Sequence, residues 1–169
     1  MCTNTNTRLV VFDLDDTLYD PRTNAMFPGV GDMLAALKEN KFAIGLASYN
    51  AYAPDVLRDC GIGRYFEFVE HEDLVRSAQI LRRMQAACEH VVENDWKWSS
   101  CVANDKRCML RNILTRSGVP PEDAFFVDDQ VRYLKTAEEI GLRTFEATTD
   151  GRWIPRFLTF IMGDDECDT

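Results

Sequence analysis

Short continuous apolar runs alternate along the chain with stretches in which apolar residues recur every three or four positions. Leu9-Val10-Val11-Phe12 is unbroken and stops at acids, the pattern of a strand buried on both faces. The stretch 42–47 and Ala124-Phe125-Phe126-Val127 read the same way, and shorter strands are predicted at 66–69 and 142–146. Between them, Val30, Met33, Leu34 and Leu37 keep helical spacing, which predicts a helix over 30–40. Further helices are predicted near 52–60 and over 106–117, 130–140 and 152–162, with Gly61, Gly118 and Gly141 closing three of them. A longer amphipathic helix is predicted over 72–93, its face formed by Leu74, Ala78, Leu81, Met84, Cys88 and Val91. Residues 18–28 carry the breakers Asp20-Pro21 and Pro28-Gly29 and read as loop. The stretch 96–103 fits strand or loop, and Asp105 is placed to cap the helix that follows.

Buried strands alternating with amphipathic helices predict an α/β protein with a parallel sheet covered on both faces, a Rossmann-like three-layer αβα sandwich. The 169 residues suit one domain, and no repeat or low-complexity linker divides them.

Charge narrows the partners. A net charge of −9 argues against broad nucleic-acid binding, since phosphate backbones would be repelled. A phosphate-bearing ligand would then need a locally cationic site. Part of the acidity lies in the terminal stretch 163–169, which reads as a solvated tail. None of the six cysteines forms a C-x-x-C pair, so buried free thiols in a reducing, cytoplasmic setting are expected. The first seven residues are polar and not a signal peptide, and no run of 18 apolar residues would span a membrane.

In a sheet of this kind ligands bind beyond the carboxyl ends of the strands. Three polar clusters stand at such ends: Asp13-Leu14-Asp15-Asp16-Thr17, Ser48-Tyr49-Asn50 and Asp128-Asp129-Gln130. Lys106 begins a helix between the last two. Asp13 and Asp15, two apart on extended chain, point the same way. Crowded acids of this kind call for a hard cation, and oxygen-only donors favour Mg²⁺ over zinc or copper. The chemistry that fits is a carboxylate nucleophile forming an acyl phosphate, with a second carboxyl that first gives and later takes a proton. Thr17, Ser48, the N–H groups at Tyr49 and Asn50, and Lys106 make up the candidate phosphate-binding set.

The run Val10-Val11-Phe12-Asp13-Leu14-Asp15-Asp16-Thr17-Leu18 resembles the first signature of the haloacid dehalogenase (HAD) superfamily. Ser48 after a strand, Lys106 at a helix start and Phe126-Val127-Asp128-Asp129 after a strand resemble the other three signatures, in order. The resemblance implies that Asp13 is the nucleophile and Asp15 the acid/base. It implies Mg²⁺ held by the Asp13 carboxylate, the Asp15 main-chain carbonyl and Asp128, with Asp129 holding a metal water or Lys106. Asp at position 15 is the mark of the phosphatase branch. Only 32 residues separate Asp15 from Ser48, so the chain is similar to the small magnesium-dependent phosphatases without a cap domain. That family is linked to phosphotyrosine and sugar-phosphate hydrolysis. Residues 72–104 depart from it as a helical insertion that would serve as a lid, a partner surface or extra scaffold.

The expected substrate is thus a phosphorylated protein or small molecule. Two non-enzymatic readings compete. A phosphoacceptor module would also cluster Asp, Ser and Lys around Mg²⁺, although the Asp-x-Asp-x-Thr spacing does not suit signalling receivers. A partner-binding module on the same scaffold would work through the insertion.

Overall fold

Four consecutive buried residues, Leu9–Phe12, form the central strand β1. β1 pairs in parallel with β4 (Ala43–Ser48) on one side and with β6 (Ala124–Asp128) on the other. β5 (Phe68–His71) lies outside β4, and β7 (Arg143–Glu146) lies outside β6. The resulting order is β5-β4-β1-β6-β7, all parallel. The three inner strands are buried at every residue, as their unbroken apolar sequences require, whereas the edge strands mix polar and apolar residues and are half-buried or exposed. The computed structural model describes residues 8–72 and 106–163. The predicted helix over 72–93, the stretch 96–103, Asp105, nearly all of the 72–104 insertion and the acidic tail beyond Gly163 lie outside the described residues.

Side chains alternate across the sheet and build two cores. Val10, Phe12, Ile44, Leu46, Phe125 and Val127 face α1 (Val30–Glu39), α2 (Ala53–Asp59) and α5 (Trp153–Gly163). Leu9, Val11, Ala43, Ala47 and Phe126 face α3 (Arg107–Ser117) and α4 (Val131–Glu138). This is the expected three-layer αβα arrangement. Phe12, Trp153, Phe157 and Phe145 interlock under the first face, with ring centroids 5.2–6.3 Å apart. On the second face Gly45 lets α3 sit close. A Cβ there would lie 3.2 Å from Cγ2 of Ile113 and 3.4 Å from Cγ2 of Val11.

Three expectations are corrected. Residues 18–28 are not plain loop: β2 (Tyr19–Asp20) and β3 (Ala25–Met26) pair as a short antiparallel hairpin. Leu18, Tyr19 and Phe27 are buried in the first core, which ties the hairpin down in spite of its polar tip. The strand predicted at 66–69 starts later, because a 3₁₀ turn over Gly63–Tyr65 precedes it, and His71 comes level with Ser48. Among the cysteines, Cys60 is a free thiol but Cys108, in the first turn of α3, is disulfide-bonded. Sequence spacing does not report which sulfurs meet in space. Among the described residues no helix is long and apolar enough to cross a membrane.

Candidate functional site

The carboxyl ends of β1, β4 and β6 lie side by side, and each delivers a polar residue where its apolar run stops. Asp13 follows β1, and its N–H donates to Val127 O of β6 at 2.9 Å. Ser48 ends β4 and Asp128 ends β6. Lys106 arrives from the opposite layer as the residue that caps α3. About two turns further along α3, Ile113 packs closely against Gly45 of β4.

Asp13, Lys106 and Asp128 are all buried, at 5%, 1% and 0% exposure. Lys106 Nζ lies 2.6 Å from Asp13 Oδ1 and 2.5 Å from Asp128 Oδ2. The ammonium also lies 4.7 Å from the ring centroid of Tyr133 and 5.6 Å from that of Phe126. The other oxygen of Asp128, Oδ1, accepts the Gln130 N–H at 2.8 Å, so both Asp128 oxygens are engaged by the protein. Asp129 differs: its Oδ1 is buried and has no hydrogen-bond partner among the described residues. Asp13, Asp128 and Asp129 each bring an oxygen within 4.8 Å of the others. Among the described residues, three carboxylates thus share one ammonium, an anionic excess that a hard divalent cation would balance.

Burial dominates the proton affinities here. It pushes Asp13 from 3.8 up to about 6, Lys106 pulls the other way, and the neighbouring Asp128 adds to the rise. Asp128 is also raised by burial against the pull of Lys106. Asp129 is raised by burial first and by the charge of Asp13 second.

Asp15 stands apart from this cluster and is only half-buried. The chain turns directly after it: Asp16 adopts a left-handed φ of 59°, which aspartate tolerates better than most residues, and Asp16 N–H donates to Tyr19 O at 2.8 Å. Asp15 Oδ1 accepts Asn50 Nδ2–H at 3.0 Å. Asn50 N–H donates to Ser48 Oγ at 3.1 Å, which leaves the Ser48 hydroxyl proton to be donated elsewhere.

The structure therefore brings together Asp13, Lys106, Asp128 and Asp129, and hydrogen bonds join Asp15, Asn50 and Ser48 beside them. Thr17 is fully buried, and its hydroxyl has no partner among the described residues. Tyr49 packs its ring 5.8 Å from that of Tyr133. The Asn50 N–H, expected to meet phosphate, is occupied by Ser48. Two contributions escaped the sequence. Nothing in the sequence singles out Tyr133, whose ring lies beside Lys106, and the Asn50 side chain gives no sign of its partner. A surface cleft of about 430 Å³ beside α2, lined by Leu57, Arg58, Arg64 and Val69 among others, includes none of these groups.

No protein-family model and no curated protein matches the sequence. Solved structures do match in shape. A haloacid dehalogenase-like family hydrolase from Streptococcus pneumoniae is similar at a TM-score of 0.65 and 12% identity, over 93% of this chain and 99% of that one. A candidate phosphatase from Clostridium difficile is similar at 0.61 and 14%, over 85% and 86% of the two chains. A predicted HAD-like family hydrolase from Porphyromonas gingivalis is similar at 0.60 and 16%, over 93% and 98%. At such identities the likeness shows the fold, and the fold is the haloacid dehalogenase-like one that the signatures implied.

Proposed function

We propose that this chain, on its haloacid dehalogenase-like fold, is a Mg²⁺-dependent phosphohydrolase that takes the phosphoryl group of a monoester onto Asp13. One observation carries the reading: buried Lys106 bridges Asp13 and Asp128 while a carboxylate oxygen of Asp129 lies within 4.8 Å of both acids. That arrangement has no evident structural purpose, since burying an excess of carboxylates is costly.

The donor set fits a hard divalent ion. Asp13, the main-chain carbonyl of Asp15, Asp128 and Asp129 would hold it, and Asp129 offers an oxygen that no donor among the described residues satisfies. Bound there, Mg²⁺ would offset the carboxylate charge and let a phosphate dianion approach. The protein's own groups do the rest. The Ser48 hydroxyl, its lone pair occupied by Asn50 N–H, donates its proton to a phosphate oxygen. Thr17 offers a second hydroxyl, and Lys106 offsets charge on the transferring group. The Asp13 carboxylate attacks phosphorus and forms an aspartyl phosphate. Asp15 gives a proton to the departing oxygen and later takes one from the water that hydrolyses the intermediate.

Between Asp15 and Ser48 the chain forms the β2–β3 hairpin, α1 and β4, with no folded cap inserted there. This supports a mouth open to a phosphotyrosine, another phosphoprotein side chain or an aryl phosphate, ahead of a sugar phosphate. The test is turnover of a chromogenic aryl phosphate with Mg²⁺, with EDTA, and with Asp13→Asn. Metal-dependent turnover that the variant abolishes is expected. No turnover by the unmodified chain, or undiminished turnover by the variant, overturns the reading. A stable phosphorylated Asp13 in the unmodified chain would favour a phosphoacceptor instead.

A further inference from the structure

The Asp15 carboxyl is gripped from another element. Asn50, two residues past the end of β4, donates Nδ2–H to Asp15 Oδ1 at 3.0 Å. Its other end dictates the amide's orientation. Asn50 Oδ1 accepts Tyr52 N–H at 2.9 Å, and a backbone N–H can only donate. The amide oxygen must therefore face Tyr52 and the NH₂ must face Asp15. The Asn50 backbone is held too, through its N–H to Ser48 Oγ at 3.1 Å. Two side-chain bonds and one backbone bond thus fix this residue between the end of β4, the start of α2 and the carboxyl after β1. Among the described residues, this is the side-chain hydrogen bond that Asp15 makes.

Resting on the phosphohydrolase reading, we infer that Asn50 is a positioning residue. It occupies Oδ1 of Asp15, sets the plane of the carboxyl and leaves Oδ2 as the oxygen that passes the proton. In the first half-reaction an Asp13 oxygen bonds to phosphorus and the ester P–O bond breaks. The departing oxygen takes the proton from Asp15 Oδ2. In the second, a water oxygen bonds to phosphorus, its proton moves to Asp15 Oδ2, and the Asp13–phosphorus bond breaks. Asn50 touches neither phosphate nor leaving group. It acts only through the carboxyl, which distinguishes it from the phosphate-binding role expected of it from sequence.

The leaving group separates the two roles. A nitrophenolate departs without a proton, whereas a primary alcohol needs one. In Asn50→Ala, kcat/KM for an alkyl phosphate should fall by about 10- to 100-fold, the scale of a misplaced acid. For p-nitrophenyl phosphate kcat/KM should nearly hold, while kcat and KM fall together because hydrolysis of the intermediate needs the same carboxyl. Phosphorylated Asp13 should then accumulate and be visible by intact-protein mass. Should Asn50→Ala fail to fold, Asn50→Asp keeps the acceptor for Tyr52 N–H, loses the donor to Asp15, and should show the same split. Equal losses of kcat/KM on both esters, or a rise in KM on both, would mean that Asn50 holds phosphate and would overturn the inference. No loss on either ester would overturn it as well. If the unmodified chain turns over neither ester with Mg²⁺, the phosphohydrolase reading itself fails and takes this inference with it.

Discussion

Lys106 Nζ lies 2.6 Å from Oδ1 of Asp13, and both side chains are almost wholly buried. The pair is 93 residues apart in sequence, and Asp128 closes the triangle at 2.5 Å from the same nitrogen. Removing the cation would strand buried carboxylates. Lys106→Met should therefore cost about 3 kcal/mol or more of stability at pH 7.5 without metal. The loss should shrink at pH 5, where Asp13 can take up a proton. Catalysis should fall by about 10²- to 10³-fold, the usual cost of one charge-stabilising donor. Urea melts at the two pH values and aryl phosphate assays would check both parts.

The adjacent acids Asp128, which ends β6, and Asp129 should separate by function. Both oxygens of Asp128 are engaged by protein donors, whereas Asp129 keeps a buried oxygen without a partner among the described residues. Asp129→Asn should raise the Mg²⁺ concentration needed for half-maximal activity by about 10-fold or more, the range seen when a metal's carboxylate support is lost. Its melting temperature should change little. Asp128→Asn should weaken Mg²⁺ binding too, but should also lower the melting temperature clearly, since it weakens the contact to Lys106. Metal titrations and thermal melts on both variants would show whether the roles divide this way.

A pH signature follows from Asp13. Its carboxyl sits at about 6 in the folded chain against an ordinary 3.8, with burial as the main cause. The folded chain thus binds this proton more tightly than the unfolded chain. The stability it contributes without metal is fully present below 3.8 and is lost as pH rises through about 6. The loss is on the order of 3 kcal/mol. Asp13→Asn removes that titration, so the unmodified chain should lose stability relative to this variant between pH 4 and 7. Mg²⁺ competes with the proton and should raise the melting temperature more at pH 7.5 than at pH 5.

The seat of α3 can be probed far from the charges. A Cβ on Gly45 would lie 3.2 Å from Ile113 Cγ2. Gly45→Ala should cost about 1–2 kcal/mol through overpacking and should lower kcat by shifting Lys106. Combining it with Ile113→Ala should recover part of both losses, a coupling that a double-mutant cycle would measure.

The sequence discloses this architecture where one residue's surroundings are set by its neighbours along the chain. Leu9–Phe12 and Ala124–Val127 read as buried strands because each carries an unbroken apolar run. Asp13, Ser48 and Asp128 stand out because polar residues end those runs. The hairpin at 19–26 stayed hidden because its strands are two residues each and their pairing is a tertiary outcome of burying Tyr19 and Phe27. The different partners of Asp128 and Asp129 were equally hidden. Adjacent identical residues look alike in sequence, and only the direction of each side chain tells which meets Lys106. The Asn50 amide is the same case: a turn residue by pattern, and a tether by geometry.

The central strand has its own consequence for biogenesis. β1 is synthesised before its neighbour β6, which follows more than a hundred residues later. A nascent chain holds Asp13 long before Asp128 and Lys106 exist to surround it. Pairing so remote in sequence is slow to form, because the long intervening loop must close first. The acid–lysine cluster would thus assemble only after β6 docks, and any truncation before β6 should lack it however well the preceding segment folds.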